Sequence, residues 1–263
     1  MKKSLFIIIT LMLSVGFLPL GTAVAHNETS TSSQYIGDKL PRHHEFNDLT
    51  SQPIIEKTVK ANILDENGRV IDEKTFEKTG NSDNQFSIND QGTKKVTVLA
   101  VADEEYRNKY PDWQNRVQSI VEKSDDAFNR DHNIDFEVKS IGEWESSGQN
   151  SEEILSNLSD AWDGNGYDFV VGFTDDRNFD AGGIAYVYGS KSNGSAISVN
   201  LDQGTASTAK AAQHEFSHNF GLGHDPQGSG IKCIMNYDYA YSVDYWDPSH
   251  AERIQLNKVW YGN

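Results

Sequence analysis

Residues 214–225, HEFSHNFGLGHD, place three imidazoles and one carboxylate at the spacing of a metal-dependent hydrolytic site. His214 and His218 stand four apart, which on a helix is one turn along one face, so both rings reach one ion. Glu215 follows the first ligand and points near the same ion without binding it. Gly221 lets the chain leave the helix through a left-handed or strained conformation and bring His224 in from the side. Three neutral imidazoles leave the fourth position of a tetrahedral zinc open to water. The ion lowers the pKa of that water, and Glu215 is placed to take its proton and pass it to a leaving amine. A structural zinc would more often be closed by Cys or by a fourth protein ligand.

A second string, Cys233-Ile234-Met235-Asn236-Tyr237, follows shortly after His224. HExxHxxGxxH followed by such a Met-turn resembles the metzincin metallopeptidases. That resemblance implies a single zinc held by His214, His218 and His224, with Glu215 as general base. It implies Met235 as a structural residue beneath the ligands, and an upper sheet-bearing subdomain with a smaller one after Gly221. Asp225 resembles the adamalysin or reprolysin branch, as a carboxylate that fixes local geometry. Tyr237 resembles the astacin branch, where a Tyr in this place can bind zinc and serve the oxyanion. A Tyr that only packs under the turn is the other reading. The mixture of markers resembles small secreted bacillus-type endopeptidases.

The start of the chain reads as a signal peptide, residues 1–25. Lys2 and Lys3 precede an apolar run, and Ala23-Val24-Ala25 is a small-residue cleavage site. Residues 26–92 read as a propeptide. They open on a Ser/Thr/Asn-rich piece, then hold a hairpin in which 59–64 and 70–76 flank the turn Asp65-Glu66-Asn67-Gly68. The catalytic domain is expected over 93–263. The single Cys233 excludes an internal disulfide; it reads as a small buried residue beside the turn rather than a reactive thiol. These features together suggest a secreted bacterial exoprotein.

A formal charge of −16 argues against nucleic acid and stable membrane association. Polypeptide substrates, the chain's own propeptide as inhibitor, and a monomeric state are expected. Asp-rich pieces at 131–135 and 174–176 lack the Gly and terminal Glu of an EF-hand, so calcium is possible but unsupported. His132 and His250 read as surface residues.

The catalytic segment alternates strand and helix. Strands are expected at 96–102, 135–141, 167–173, 182–188 and 196–201, and helices at 104–129, 151–162, 208–220 and 248–261. This is an α/β (α+β) class: a mixed sheet of about five strands in about 170 residues, with the zinc helix packed on it. Residues 182–186, Gly-Gly-Ile-Ala-Tyr, resemble the strand that lines the cleft in this family and can bind an extended peptide; an ordinary hairpin strand fits them equally.

The function expected is a secreted zinc endopeptidase made as a latent proenzyme. A zinc amidase on non-protein amides, or a zinc-binding module without turnover, are the alternatives. The propeptide has no Cys to silence the metal. Its Tyr35-Ile36-Gly37-Asp38 resembles the aspartate switch of astacin propeptides, with Asp38 as a carboxylate ligand; an exposed Gly-Asp turn is the other reading.

Overall fold

The computed structural model describes residues 37–43, 52–79, 92–163 and 166–262. The expected signal peptide, Tyr35, Ile36 and most of the expected linker around 80–91 lie outside them. Among the described residues the strands are β1 Gly37–Leu40, β2 Val59–Leu64, β3 Val70–Phe76, β4 Lys94–Ala102, β5 Ile134–Glu143, β6 Phe169–Thr174, β7 Gly183–Tyr186 and β8 Ala196–Leu201. The helices are α1 Glu104–Lys109, α2 Trp113–His132, α3 Ser151–Trp162, α4 Thr205–Asn219 and α5 Pro248–Asn257, the last followed by a 3-10 turn, Lys258–Trp260.

All eight strands form one sheet in the order β1-β7-β8-β6-β4-β5-β2-β3. β6, Phe-Val-Val-Gly-Phe-Thr, is buried at every position and pairs in parallel with β4 and β8, as an apolar run between two neighbours must. β4 alternates between the faces. Val96, Val98, Ala100 and Ala102 join the core under α2 and α4, whereas Leu99 and Val101 join the core under α3. α3 supplies Ile154, Leu155, Leu158 and Trp162 to that second core, and the Asn150 side chain caps its first turn. The sheet is therefore covered on both faces, and its C-terminal strand ends lead into the loops that carry α4.

Residues before 92 extend this sheet at both ends. The hairpin β2–β3 is present, closed by Gly68 at φ 73° and by the Asp65 side chain accepting from the amides of Asn67 and Arg69. β2 also pairs in parallel with β5 through Asn62, Ile63 and Leu64. At the opposite edge β1 lies antiparallel to β7, with Asp38 opposite Ala185 and Leu40 opposite Gly183. The five strands expected after residue 92 are present, and the hairpin and β1 before it bring the sheet to eight.

One expected helix is two. Pro111 and the extended Tyr110 end α1, and α2 restarts at Trp113. Proline disfavours the helical conformation at the residue before it, so the apolar spacing that runs across 104–129 does not keep one helix. α2 ends on Asn133 in the left-handed region, φ 54°. His132 is also not a surface residue: it is 4% exposed and packs edge-on against Trp246. Among the described residues no helix is long and apolar enough to cross a membrane.

Candidate metal centre

α4 carries His214, Glu215 and His218, all fully buried. Gly221 ends the helical path at φ 83°. A Cβ there would lie 2.7 Å from the Tyr188 carbonyl oxygen, so only Gly makes the turn. The following chain brings His224 back over α4. Nε2 of His214 lies 3.0 Å from Nε2 of His224 and 3.1 Å from Nε2 of His218.

The other ring nitrogens decide what this convergence means. Nδ1 of His214 lies 2.7 Å from the Ile234 carbonyl oxygen, and Nδ1 of His218 lies 2.8 Å from that of Leu222. A carbonyl only accepts, so each Nδ1 carries the proton and each Nε2 presents a lone pair. Nδ1 of His224 faces the Asp38 carboxylate at 3.1 Å, which sets its tautomer the same way. Three lone pairs about 3 Å apart repel one another unless a cation sits among them, and this donor set fits zinc. Burial and the neighbouring imidazoles hold His214 well below the usual histidine range and His218 down to about 4, so both rings are neutral.

Glu215 is the second half of the site. Both its carboxylate oxygens are buried and accept no hydrogen bond. Burial, and then the charge of Asp38, push it well above the usual carboxylate range. Gly183 makes the room: a Cβ on that residue would stand 2.5 Å from Oε1 of Glu215. Residues 182–186 fit a cleft strand and an ordinary hairpin strand equally in sequence, and neither reading locates this seat; the adjacent Gly182-Gly183 pair is the visible signal.

Tyr237 and Asp38 meet beside the imidazoles. The Tyr237 hydroxyl donates to the Lys39 carbonyl oxygen at 2.8 Å and to Oδ1 of Asp38 at 3.2 Å, and its ring centroid is 4.2 Å from that of His224. Burial pushes Asp38 up, but the His224 hydrogen bond and the electrostatic attraction of the neighbouring imidazoles outweigh it, leaving the carboxyl below its ordinary value. Asp38 does not join the three Nε2 atoms in the metal-competent cluster; it holds the far side of His224. Strand β1 is fixed further by Leu40 packing on Ala211 of α4, by His43 stacked on Tyr241, and by Lys39 paired with Asp180.

Met235 and Cys233 are fully buried in the main core, and the Met235 carbonyl oxygen accepts from the Asp225 amide. His250, expected at the surface, instead turns its ring inward against Cys233 and two carboxylates. The Asp-rich pieces form no metal-competent cluster among the described residues; Asp131 pairs with Arg130, and Asp175 with Lys109.

No curated protein matches the chain. Among solved structures it is similar to an archaemetzincin from Methanopyrus kandleri, with a TM-score of 0.47, 19% identity, and coverage of 64% of this chain and 98% of that one. It is also similar to a chain in a chaperone-substrate complex, with a TM-score of 0.49, 13% identity, and coverage of 80% and 42%. At these values neither likeness bears on the site. The family model Reprolysin_5, metallo-peptidase family M12, matches residues 92–246, more than half the chain. This span contains all three clustered imidazoles, and the chain belongs to metallopeptidase family M12, whose metzincin-like members are zinc peptidases.

Proposed function

We propose that this chain is a secreted zinc endopeptidase, made as a proenzyme with residues 26–92 as its inhibitory segment. His214, His218 and His224 are the zinc ligands and Glu215 is the general base. The carrying observation is Glu215. A buried carboxylate with no hydrogen bond costs several kcal/mol of desolvation in the fold. Nothing structural in its surroundings repays that cost, whereas a base beside a hydrolytic metal uses it.

Bound zinc would supply a Lewis acid and a water of lowered pKa. Glu215 would take the proton of the attacking water and deliver it to the leaving amine. The Tyr237 hydroxyl, which now donates to the inhibitory segment, would be free after maturation to donate to the developing oxyanion. β7 would hold the substrate as an added antiparallel strand, in the position that β1 takes here. Latency follows from that overlap: β1 fills the groove, and Asp38 engages both His224 and Tyr237.

The test uses purified mature protein on casein and on a non-peptide amide, before and after chelation. Hydrolysis of casein should vanish with chelator and return with zinc. Glu215→Gln should keep the metal and lose about 10²–10⁴-fold in rate. A zinc-loaded Gln variant at wild-type rate would overturn the assignment of the base, and cleavage of the amide without casein would overturn the peptidase.

A further inference from the structure

Four more ligand-type side chains converge outside the three-histidine cluster. Asp225, Cys233, Asp247 and His250 each bring one donor atom to a common place, all within 4.8 Å of one another. They come from three segments: the residue after His224, the Met-turn, and the cap and first turn of α5. Nδ1 of His250 is the hub. It lies 3.4 Å from the Cys233 sulfur and 3.6 Å from Oδ2 of Asp225, and it contacts Oδ2 of Asp247. A tetrahedral zinc with ligands at about 2.0–2.3 Å sets its ligand atoms roughly 3.3–3.7 Å apart; the contacts to Cys233 and Asp225 fall in that range, and the one to Asp247 is closer.

A hydrogen-bonded cluster does not account for this arrangement. Nδ1 and the Cys233 thiol offer one proton each, and the thiol is paired with the Asp247 carboxyl. Oδ2 of Asp225 is buried and accepts no hydrogen bond, and the Asp225 side chain is only 10% exposed. Such an orphaned oxygen in a native protein calls for a partner.

We propose that Asp225, Cys233, Asp247 and His250 form a second cation site, closed by four protein ligands, for zinc or another borderline-soft divalent ion. One thiolate, one imidazole and two carboxylates are donors that zinc accepts, and four of them leave no open position for water. The site is structural. It joins the loop of His224, the one clustered imidazole not carried by α4, to the Met-turn and to α5. Burial, and then Asp247, push the Cys233 thiol up to about 12. Binding therefore expels the thiol proton to solvent as the sulfur–metal bond forms.

The lone cysteine makes the test specific. Cys233 is the only thiol in the chain, so a thiolate-to-cobalt charge-transfer band in the near ultraviolet reports this site and is blind to the three histidines. Full-length protein is stripped of metal and titrated with cobalt(II). Two equivalents should bind, one of them with the band. The band should persist in His218→Ala and vanish in Cys233→Ser, which should still bind one equivalent. Wild-type protein that binds cobalt without the band overturns the proposal, and that result stands whether or not the variants fold. One equivalent carrying the band would support this site and instead overturn the histidine centre of the proposed function.

Discussion

Gly183 and Glu215 occupy one another's space: a Cβ on the glycine would stand 2.5 Å from Oε1 and 2.9 Å from Cγ of the glutamate. The strand therefore leaves out a side chain where the carboxylate lies. Gly183 belongs to β7, paired along β8, so its backbone has little freedom to retreat. Gly183→Ala is expected to displace Glu215 and lower kcat about 10²-fold, the cost of misplacing a reacting group by roughly 1 Å. Zinc content should stay at wild type. Steady-state kinetics with metal analysis checks this, and an unchanged kcat would show that Glu215 has another place to go.

Asp38 is the point where the N-terminal segment meets the imidazoles. Asp38→Ala removes an acceptor from Nδ1 of His224 and from the Tyr237 hydroxyl together. The expected outcome is activity in the uncleaved protein, or early self-processing during secretion. A zinc-loaded, uncleaved Asp38→Ala protein that stays fully inert would assign latency to the β1 ladder alone.

Tyr237→Phe should lower kcat of the mature enzyme by roughly 10²-fold, the worth of one oxyanion donor, with zinc affinity unchanged. In the uncleaved protein the same change deletes the bonds to Asp38 and Lys39, so inhibition should weaken. Wild-type kcat in the mature variant would reduce Tyr237 to a packing residue.

Asp103 gives a pH signature remote from the metal. Its side chain caps α1 and meets the Thr174 hydroxyl, and burial pushes the carboxyl from 3.8 up to about 7. The folded state then holds a proton that the unfolded chain has lost. Stability from this group is present below about pH 4 and falls as pH rises through 7. Asp103→Asn keeps the cap acceptor and removes the charge. Urea midpoints between pH 4 and 8 should decline less steeply in the variant, and equal slopes would place the dependence on other groups.

The three-histidine cluster was legible because its information is local: two imidazoles one helical turn apart, then a Gly that must turn. α3 and β8 match their expected bounds for a similar reason, one through the spacing of Ile154, Leu155, Leu158 and Trp162, the other through the alternation of Ile197, Val199 and Leu201 with Ser198 and Asn200. α4 begins earlier than expected, at Thr205, because Gly204 precedes it without a side-chain cap to mark the start. The His250 cluster was not legible. Its members come from three segments with no shared period, and only folding makes them neighbours. β1 was hidden similarly, since Gly-Asp-Lys-Leu has no apolar pattern and becomes a strand by pairing with β7.

The sheet is extended at both ends by the N-terminal segment, and under the proposed latency that arrangement would govern how inhibition ends. A single cut in the stretch between Thr79 and Gly92 severs the covalent link but leaves two non-covalent grips, β1 on β7 and β2–β3 on β5. The severed piece is then a bivalent ligand: while one end holds, the other rebinds at high effective concentration. The first cut alone is expected to yield nicked protein that remains silent. A second cut, between β1 and β2, turns one bivalent inhibitor into two weak monovalent ones. Activity should therefore follow the second cleavage, making release a two-event count rather than a single scission.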